Sequence, residues 1–212
     1  LSLVPLKFGI SFTATMLNQG GALVNIYMDG SVVVNHGGTE MGQGLNTKMA
    51  QVAADALGAA VKAVRVTATD TQKVPNASAT AASSGADING AAVNNACGPL
   101  RERLTQVAAN MLGCAPDAVL IANGEVKCTD GSTDKVVAWK DLAKQAWLDR
   151  VSLSSSGFYM TPDIAYDFTT LQGKAFYYYC YGAAVTETEI DTRTGEWWLK
   201  GVDIVHDVGQ SI

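Results

Sequence analysis

Residues 22–45 read ALVNIYMDGSVVVNHGGTEMGQGL, and the order of signals inside them sets the fold class. The runs 22–28 and 31–35 are rich in β-branched and apolar side chains and flank Asp29-Gly30. Asp-Gly between such runs predicts a hairpin, with both central residues of a type I′ turn at positive φ. A glycine-rich loop over residues 37–44 follows. After it Leu45, Met49, Val52 and Ala56 recur at helical spacing, and Gly58 closes the helix. A strand pair feeding a helix, without strict strand–helix alternation, predicts an α+β fold: a mixed β-sheet with packed helices, as an incomplete part of a larger module.

Upstream, residues 7–14 alternate, with Phe8, Ile10 and Phe12 on one face, which predicts a strand. Downstream, residues 64–68 form a short β-branched strand and residues 69–85 a polar loop of small residues. In the helical region beyond it, Leu100, Leu104, Val107 and Met111 make an apolar stripe that Pro99 should kink or split. Runs 119–121 and 125–128 around Asn123-Gly124 predict a second hairpin, and residues 139–147 a short helix capped from near Asp134. Residues 151–174 carry few clear signals and include an extended loop. Runs 177–190 and 197–205 around a turn at 191–195 predict a two-stranded arm. The whole chain reads as one partial domain over residues 1–212, any subdivision falling near 113–135. It begins at Leu1 rather than Met and stops at Ile212 with no terminating element after the last strand, as an excised segment would.

Composition narrows the function classes. The net charge is −5, and the densest basic cluster is only Arg101 and Arg103, which argues against nucleic acid. No run approaches the roughly 18 apolar residues of a membrane helix. Cys97, Cys114, Cys128 and Cys180 are scattered without a Cys-x-x-Cys pair, so free thiols in a cytoplasmic protein are expected rather than a disulfide or zinc framework.

Two loops carry the chemistry. Gly37, Gly38, Gly42 and Gly44 fall within eight residues, an arrangement that is entropically expensive and useful where backbone must turn sharply or approach a ligand. A helix starting just after them offers unpaired N–H groups to an anion, and Gln43 adds a donor. The loop lacks the Gly-Lys-Ser/Thr ending of a P-loop and the third glycine of a dinucleotide fingerprint. Residues 79–85, Ala-Thr-Ala-Ala-Ser-Ser-Gly, also precede a helix and could hold an anion in the same way. Each loop also has a plainer explanation, a tight turn for the first and a capping loop using Ser83, Ser84 or Asp87 for the second.

The runs Lys7-Phe8-Gly9-Ile10-Ser11-Phe12-Thr13, residues 37–45, Val74-Pro75-Asn76, Thr80-Ala81-Ala82-Ser83 and Gly157-Phe158-Tyr159-x-Thr161-Pro162 resemble the xanthine dehydrogenase family of molybdenum hydroxylases, in its molybdenum-cofactor-binding portion. Residues 7–13 look more like that family than like the related aldehyde oxidases. The resemblance covers essentially the whole chain, and it implies a molybdenum-molybdopterin cofactor and a purine substrate. It implies cofactor contacts from Met41, Gly42 and Gln43 in one loop and from Ala82, Ser83, Ser84 and Gly85 in the other. It implies purine contacts from Phe12, Thr13 and Ala82. The metal is implied to be held through the pterin's sulfurs, with no protein ligand, so His36 and His206 have no assigned role. The family's catalytic base is a glutamate in a Gly-Glu-Pro-Pro-like segment that this sequence lacks, and Glu40 is a loop-stabilising carboxylate instead. Iron–sulfur clusters and FAD are implied on other segments or subunits. A non-catalytic cofactor-binding module and an aldehyde-oxidase-like segment are the alternatives.

Overall fold

The strands and helices follow the apolar periodicity closely at the start of the chain and less closely after residue 150. A computed structural model describes residues 1–209, so the expectation about the end at Ile212 lies outside the described residues. In chain order the first elements are β1 (Ser2–Ile10), β2 (Gln19–Ile26), β3 (Val32–His36), α1 (Leu45–Leu57) and β4 (Val64–Val66). Then come α2 (Gly85–Leu112), β5 (Val119–Ala122), β6 (Glu125–Cys128), β7 (Val136–Ala138) and α3 (Trp139–Leu148). The last are β8 (Ser154–Met160), β9 (Ala165–Asp167), β10 (Gln172–Lys174), β11 (Tyr178–Ile190) and β12 (Trp197–His206).

The described residues fall into two compact units: 1–15 with 162–209, and 16–161. The second unit holds a four-stranded sheet, order β4-β3-β2-β8, in which only β3 and β4 run parallel. The α+β expectation with a mixed sheet holds. Val24, Val32 and Val34 on that sheet are fully buried with Leu45, Met49 and Leu57 of α1 and Leu100 and Leu104 of α2. At roughly 1.5–3 kcal/mol for each large apolar side chain removed from water, this layer supplies most of the unit's driving force. A three-stranded meander, β5-β6-β7, packs beside it with α3.

Several local expectations need correction. Asp29-Gly30 does close a hairpin, but only Gly30 has positive φ (87°), and Asp29 instead accepts from Ser31 N and Oγ at 2.9 and 2.6 Å. The turn is therefore longer, with Tyr27 N donating to Ser31 O at 2.8 Å. The type I′ signature appears at the other hairpin, where Asn123 (φ 52°) and Gly124 (φ 83°) are both left-handed. Pro99 does not split α2, which is continuous from Gly85 to Leu112. One lost backbone hydrogen bond is outweighed by the buried Ala92, Val93, Ala96, Cys97, Leu100 and Leu104 on either side of it. The N-cap position of the short helix α3 is Ala138, with no side-chain cap bond, rather than a residue near Asp134.

Residues 151–174, which carry few clear signals in sequence, contain β8, β9 and β10 among shorter loop stretches. Strand β8, SSSGFYM, carries few core hydrophobics because α2 lies so close to it: a Cβ on Gly157 would collide with Ala92 O and Ala96 N. Cys114 and Cys128 form a disulfide, overturning the expectation of four thiols; Cys97 and Cys180 are free. Fourteen residues separate the pair, and only the turn at Pro116–Ala118 and the β5–β6 pairing, with Cys128 opposite Val119, bring them together.

In the first unit the C-terminal arm is three-stranded, order β1-β11-β12, because Ser2–Ile10 pairs with β11 from Thr186 back to Tyr178. The strand expected over 7–14 ends at Ile10. Ser11 turns out of it at φ 151° and donates its buried Oγ to Ala175 O at 2.6 Å. Phe12 and Thr13 are thus half-buried loop residues rather than a continuation of the strand face. No helix among the described residues is long and apolar enough to cross a membrane.

Candidate functional site

Interior strand β3 ends at His36, and the glycine loop swings from there to α1. The loop can do so because nothing larger than hydrogen fits at Gly38, where a Cβ would lie 2.6 Å from Leu45 Cδ2 and 2.7 Å from Asn89 Nδ2. The second loop reaches the same place from the other side. Thr39 N donates to Thr80 Oγ1 at 2.8 Å, which ties the two loops together across forty-one positions of sequence. Between them lies a cleft of about 460 Å³.

Met41 and Gln43 from the first loop and Ala82, Ser83 and Gly85 from the second line this cleft. Gly42 and Ser84 do not line it. Gly42 holds the turn at φ 98°, while Ser84 is 2% exposed and donates its hydroxyl to Ala81 O at 3.0 Å. Phe12 and Thr13 belong to the first unit, and the cleft belongs wholly to the second.

The two helix ends at the cleft differ in their electrostatics. At α1, Glu40 folds back over the terminus: Oε1 accepts from Gly42 N and Gly44 N, both at 3.0 Å, and Oε2 from Asn46 N at 2.9 Å. The Asn46 N–H, with those of Gly44, Gly42 and Met41, holds the Glu40 carboxyl below the usual carboxylate range against an opposing desolvation. The anion expected at this terminus is therefore the protein's own. Glu40 is a poor general base by the same token, since its charged form is already satisfied. Gln43 is also turned inward, accepting from Met41 N at 2.6 Å and donating to Thr39 O at 2.9 Å, which leaves its second amide hydrogen for a ligand.

At α2 the N-cap residue Ser84 makes no side-chain cap bond, and Asp87 stands in the first turn of the helix. Gly85 and Ala86 of its first turn line the cleft. Ala82 and Ser83 just before it both sit at positive φ, 55° and 54°, where a side chain costs about 1–2 kcal/mol each. Such strain is retained where a loop must hold one particular shape. Among the described residues Lys48 is the only charged side chain on the cleft wall. Neither Lys48 nor Thr80 belongs to a glycine pattern. The available signal is helical spacing, because Lys48 lies three residues beyond Leu45 on α1 and both line the cleft.

His36 also does more than its sequence context suggests. It is 1% exposed, its Nδ1 accepts from Gly38 N at 3.1 Å, and its Nε2 lies 3.0 Å from Asn46 Oδ1. Burial lowers its pKa, against smaller opposing effects from Asn46, Asn89 and Glu40.

Comparison with known proteins defines the class. The profile of the molybdopterin cofactor-binding domain matches residues 1–212. The chain belongs to this family, as a segment of the molybdenum-cofactor-binding region. Xanthine dehydrogenase of Emericella nidulans is 47% identical over 212 residues, all of this chain and 14% of the relative's length. Xanthine dehydrogenase/oxidase of Gallus gallus is 46% identical over 213 residues, again 14% of its length. The chain thus spans about one seventh of these curated relatives. Among solved structures, quinoline 2-oxidoreductase from Pseudomonas putida 86 superposes with a TM-score of 0.78 at 24% identity, over 98% of this chain and 26% of that one. Reconstituted CO dehydrogenase from Oligotropha carboxidovorans gives 0.76 at 21% identity, over 98% of this chain and 25% of that one. These two likenesses show the shared fold.

Proposed function

We propose that this chain is the segment of a xanthine-hydroxylating molybdenum enzyme that grips the pterin cofactor and contributes to the purine pocket. The observation carrying this reading is the cleft itself. Two small-residue loops are tied together over it, the first turn of α2 lines it, and the one charged side chain on its wall among the described residues is a cation. That donor set suits an extended, electron-rich, anionic ligand, and molybdopterin is one.

When bound, the cofactor supplies the redox and hydroxylating chemistry. The residues of this chain hold and orient it. Gln43 offers its free amide hydrogen, Met41 and Ala82 give apolar walls, and Ser83 and Gly85 present small groups that permit close approach. Gly42 and Ser84, which lie behind the surface, shape the turns that carry these contacts. Lys48 adds the complementary charge. Phe12 provides a flat face for a planar heteroaromatic substrate, with Thr13 as a polar neighbour, and Ala82 keeps the pocket open beside the metal. The catalytic glutamate, the iron–sulfur clusters and the FAD belong to other segments or subunits of the enzyme, so this chain alone would be inactive toward xanthine and hypoxanthine. A cytoplasmic location is part of the same proposal, and the Cys114–Cys128 bond is the observation set against it, since a reducing compartment would open it.

The test is made in the intact enzyme with Lys48→Glu and Gln43→Ala. Reversing the one charge at the cleft should lower bound molybdenum and pterin about tenfold, the equivalent of ~1.4 kcal/mol, with a smaller loss for Gln43→Ala. Wild-type cofactor content in both variants would remove the cleft from the cofactor site.

A further inference from the structure

The glycine loop is closed by a ring of side-chain contacts that never reaches the cleft wall. Gly38 N donates to His36 Nδ1 at 3.1 Å. A backbone N–H can only donate, so Nδ1 is the acceptor, and the neutral ring carries its proton on Nε2, 3.0 Å from Asn46 Oδ1. Asn46 N donates in turn to Glu40 Oε2 at 2.9 Å, and Glu40 Oε1 collects Gly42 N and Gly44 N. One continuous chain of hydrogen bonds therefore runs from Gly38 to Gly44 through His36, Asn46 and Glu40. Glu40 itself is exposed and does not line the cleft.

We propose that Glu40 is a positioning residue for the cofactor, acting with His36 and Asn46 as a clamp that sets the Met41–Gln43 turn before any ligand arrives. The physical need is plain. A loop with this many glycines would otherwise lose a large conformational entropy on binding, and affinity would fall by that amount. The clamp uses a carboxylate because three backbone N–H donors converge there and an acceptor-only group satisfies all of them. An amide in its place would set a donor against a donor. The clamp also spends those amides on the protein's own carboxylate. The first loop therefore meets its ligand through the side chains of Met41 and Gln43, and the anion falls to Lys48 and the second loop.

The inference rests on the loops being the cofactor cradle, so two readouts keep the two claims apart. In the intact enzyme, hydrogen exchange of cofactor-free Glu40→Gln should show protection at Gly42, Gly44 and Asn46 reduced at least tenfold, with residues 79–85 unchanged. That readout needs no ligand. Bound molybdenum and pterin in the same variant should fall about fivefold, and Asn46→Ala, which leaves Glu40 in place, should show a smaller loss of both. Unchanged exchange in Glu40→Gln would overturn the clamp. Lost protection with full cofactor content would overturn the positioning role while leaving the cradle standing. A cleft that fails with Lys48→Glu and Gln43→Ala, while the exchange result holds, would sink only the cofactor assignment.

Discussion

The loops before α1 and α2 have the same outline in sequence, small residues leading directly into a helix, yet they end in opposite states. The first closes on itself, with Glu40 occupying the amides at the start of α1. The second turns into α2 through Ala82 and Ser83 at positive φ, its N-cap Ser84 makes no side-chain cap bond, and the first turn of α2 lines the cleft. What separates them is where the acidic side chain stands: Glu40 precedes α1 within its loop, whereas Asp87 lies inside the first turn of α2. A carboxylate that can reach back over the terminus competes intramolecularly with any external anion, at an effective concentration no free ligand matches. A run of alanine and serine with no such group cannot compete. A small-residue loop before a helix therefore indicates an anion site only when no nearby Asp or Glu can fold back over it.

The contrast can be broken most forcefully at Gly38. Gly38→Ala pushes a methyl group into Leu45 and Asn89, and overpacking of this kind costs about 1–3 kcal/mol. Hydrogen exchange in the intact enzyme should show that loss over residues 36–46, with residues 79–85 following only through the Thr39–Thr80 bond. Equal losses in both loops would mean that they are one cooperative unit and not two.

A smaller effect of opposite sign is expected in the second loop. Ala82→Gly relieves a left-handed residue and should stabilise residues 79–85 of the cofactor-free enzyme by about 0.5–1 kcal/mol. Destabilisation there would show that the Ala82 methyl contributes packing worth more than the strain.

The smallest effect is a response to acid confined to the first loop. Burial lowers the pKa of His36 from its ordinary 6.5, so the unfolded chain takes up the proton first. The stability it contributes is complete above about pH 6.5 and is lost as the pH falls through the folded value. The carboxyl of Glu40 is likewise held below its ordinary 4.5, so its contribution is lost at lower pH still. Exchange over residues 36–46 should accelerate below pH 6.5 relative to a His36→Gln variant. No titratable side chain lies in residues 79–85, and exchange there should show no such difference.

Much of this was legible in residue order. The β2–β3 hairpin, helix α1 with its Gly58 stop and the β11–β12 hairpin all follow from periodicity and turn residues, because their partners are neighbours in the chain. Strand β1 was legible as a strand but not as the third strand of the arm, since its partner β11 lies some 170 residues away. Strand β8 was missed because its Ser-rich composition is dictated by the proximity of α2 and not by burial of large side chains. The disulfide was missed for a related reason, as the pattern of cysteines says nothing about a turn and a strand register that set two of them side by side. Within the candidate site, Met41, Gln43, Ala82, Ser83 and Gly85 were named from resemblance. Lys48 and the structural work of His36 were not, because neither is part of a loop motif.

By itself the sequence determined the fold class, the two small-residue loops and the family, since all three rest on local patterns and on residues that a motif can hold in order. Only the tertiary structure decided that the protein's own Glu40 closes the start of α1. That outcome depends on whether a carboxylate can bend back within about 3 Å of particular amides, which is a matter of backbone direction rather than of composition.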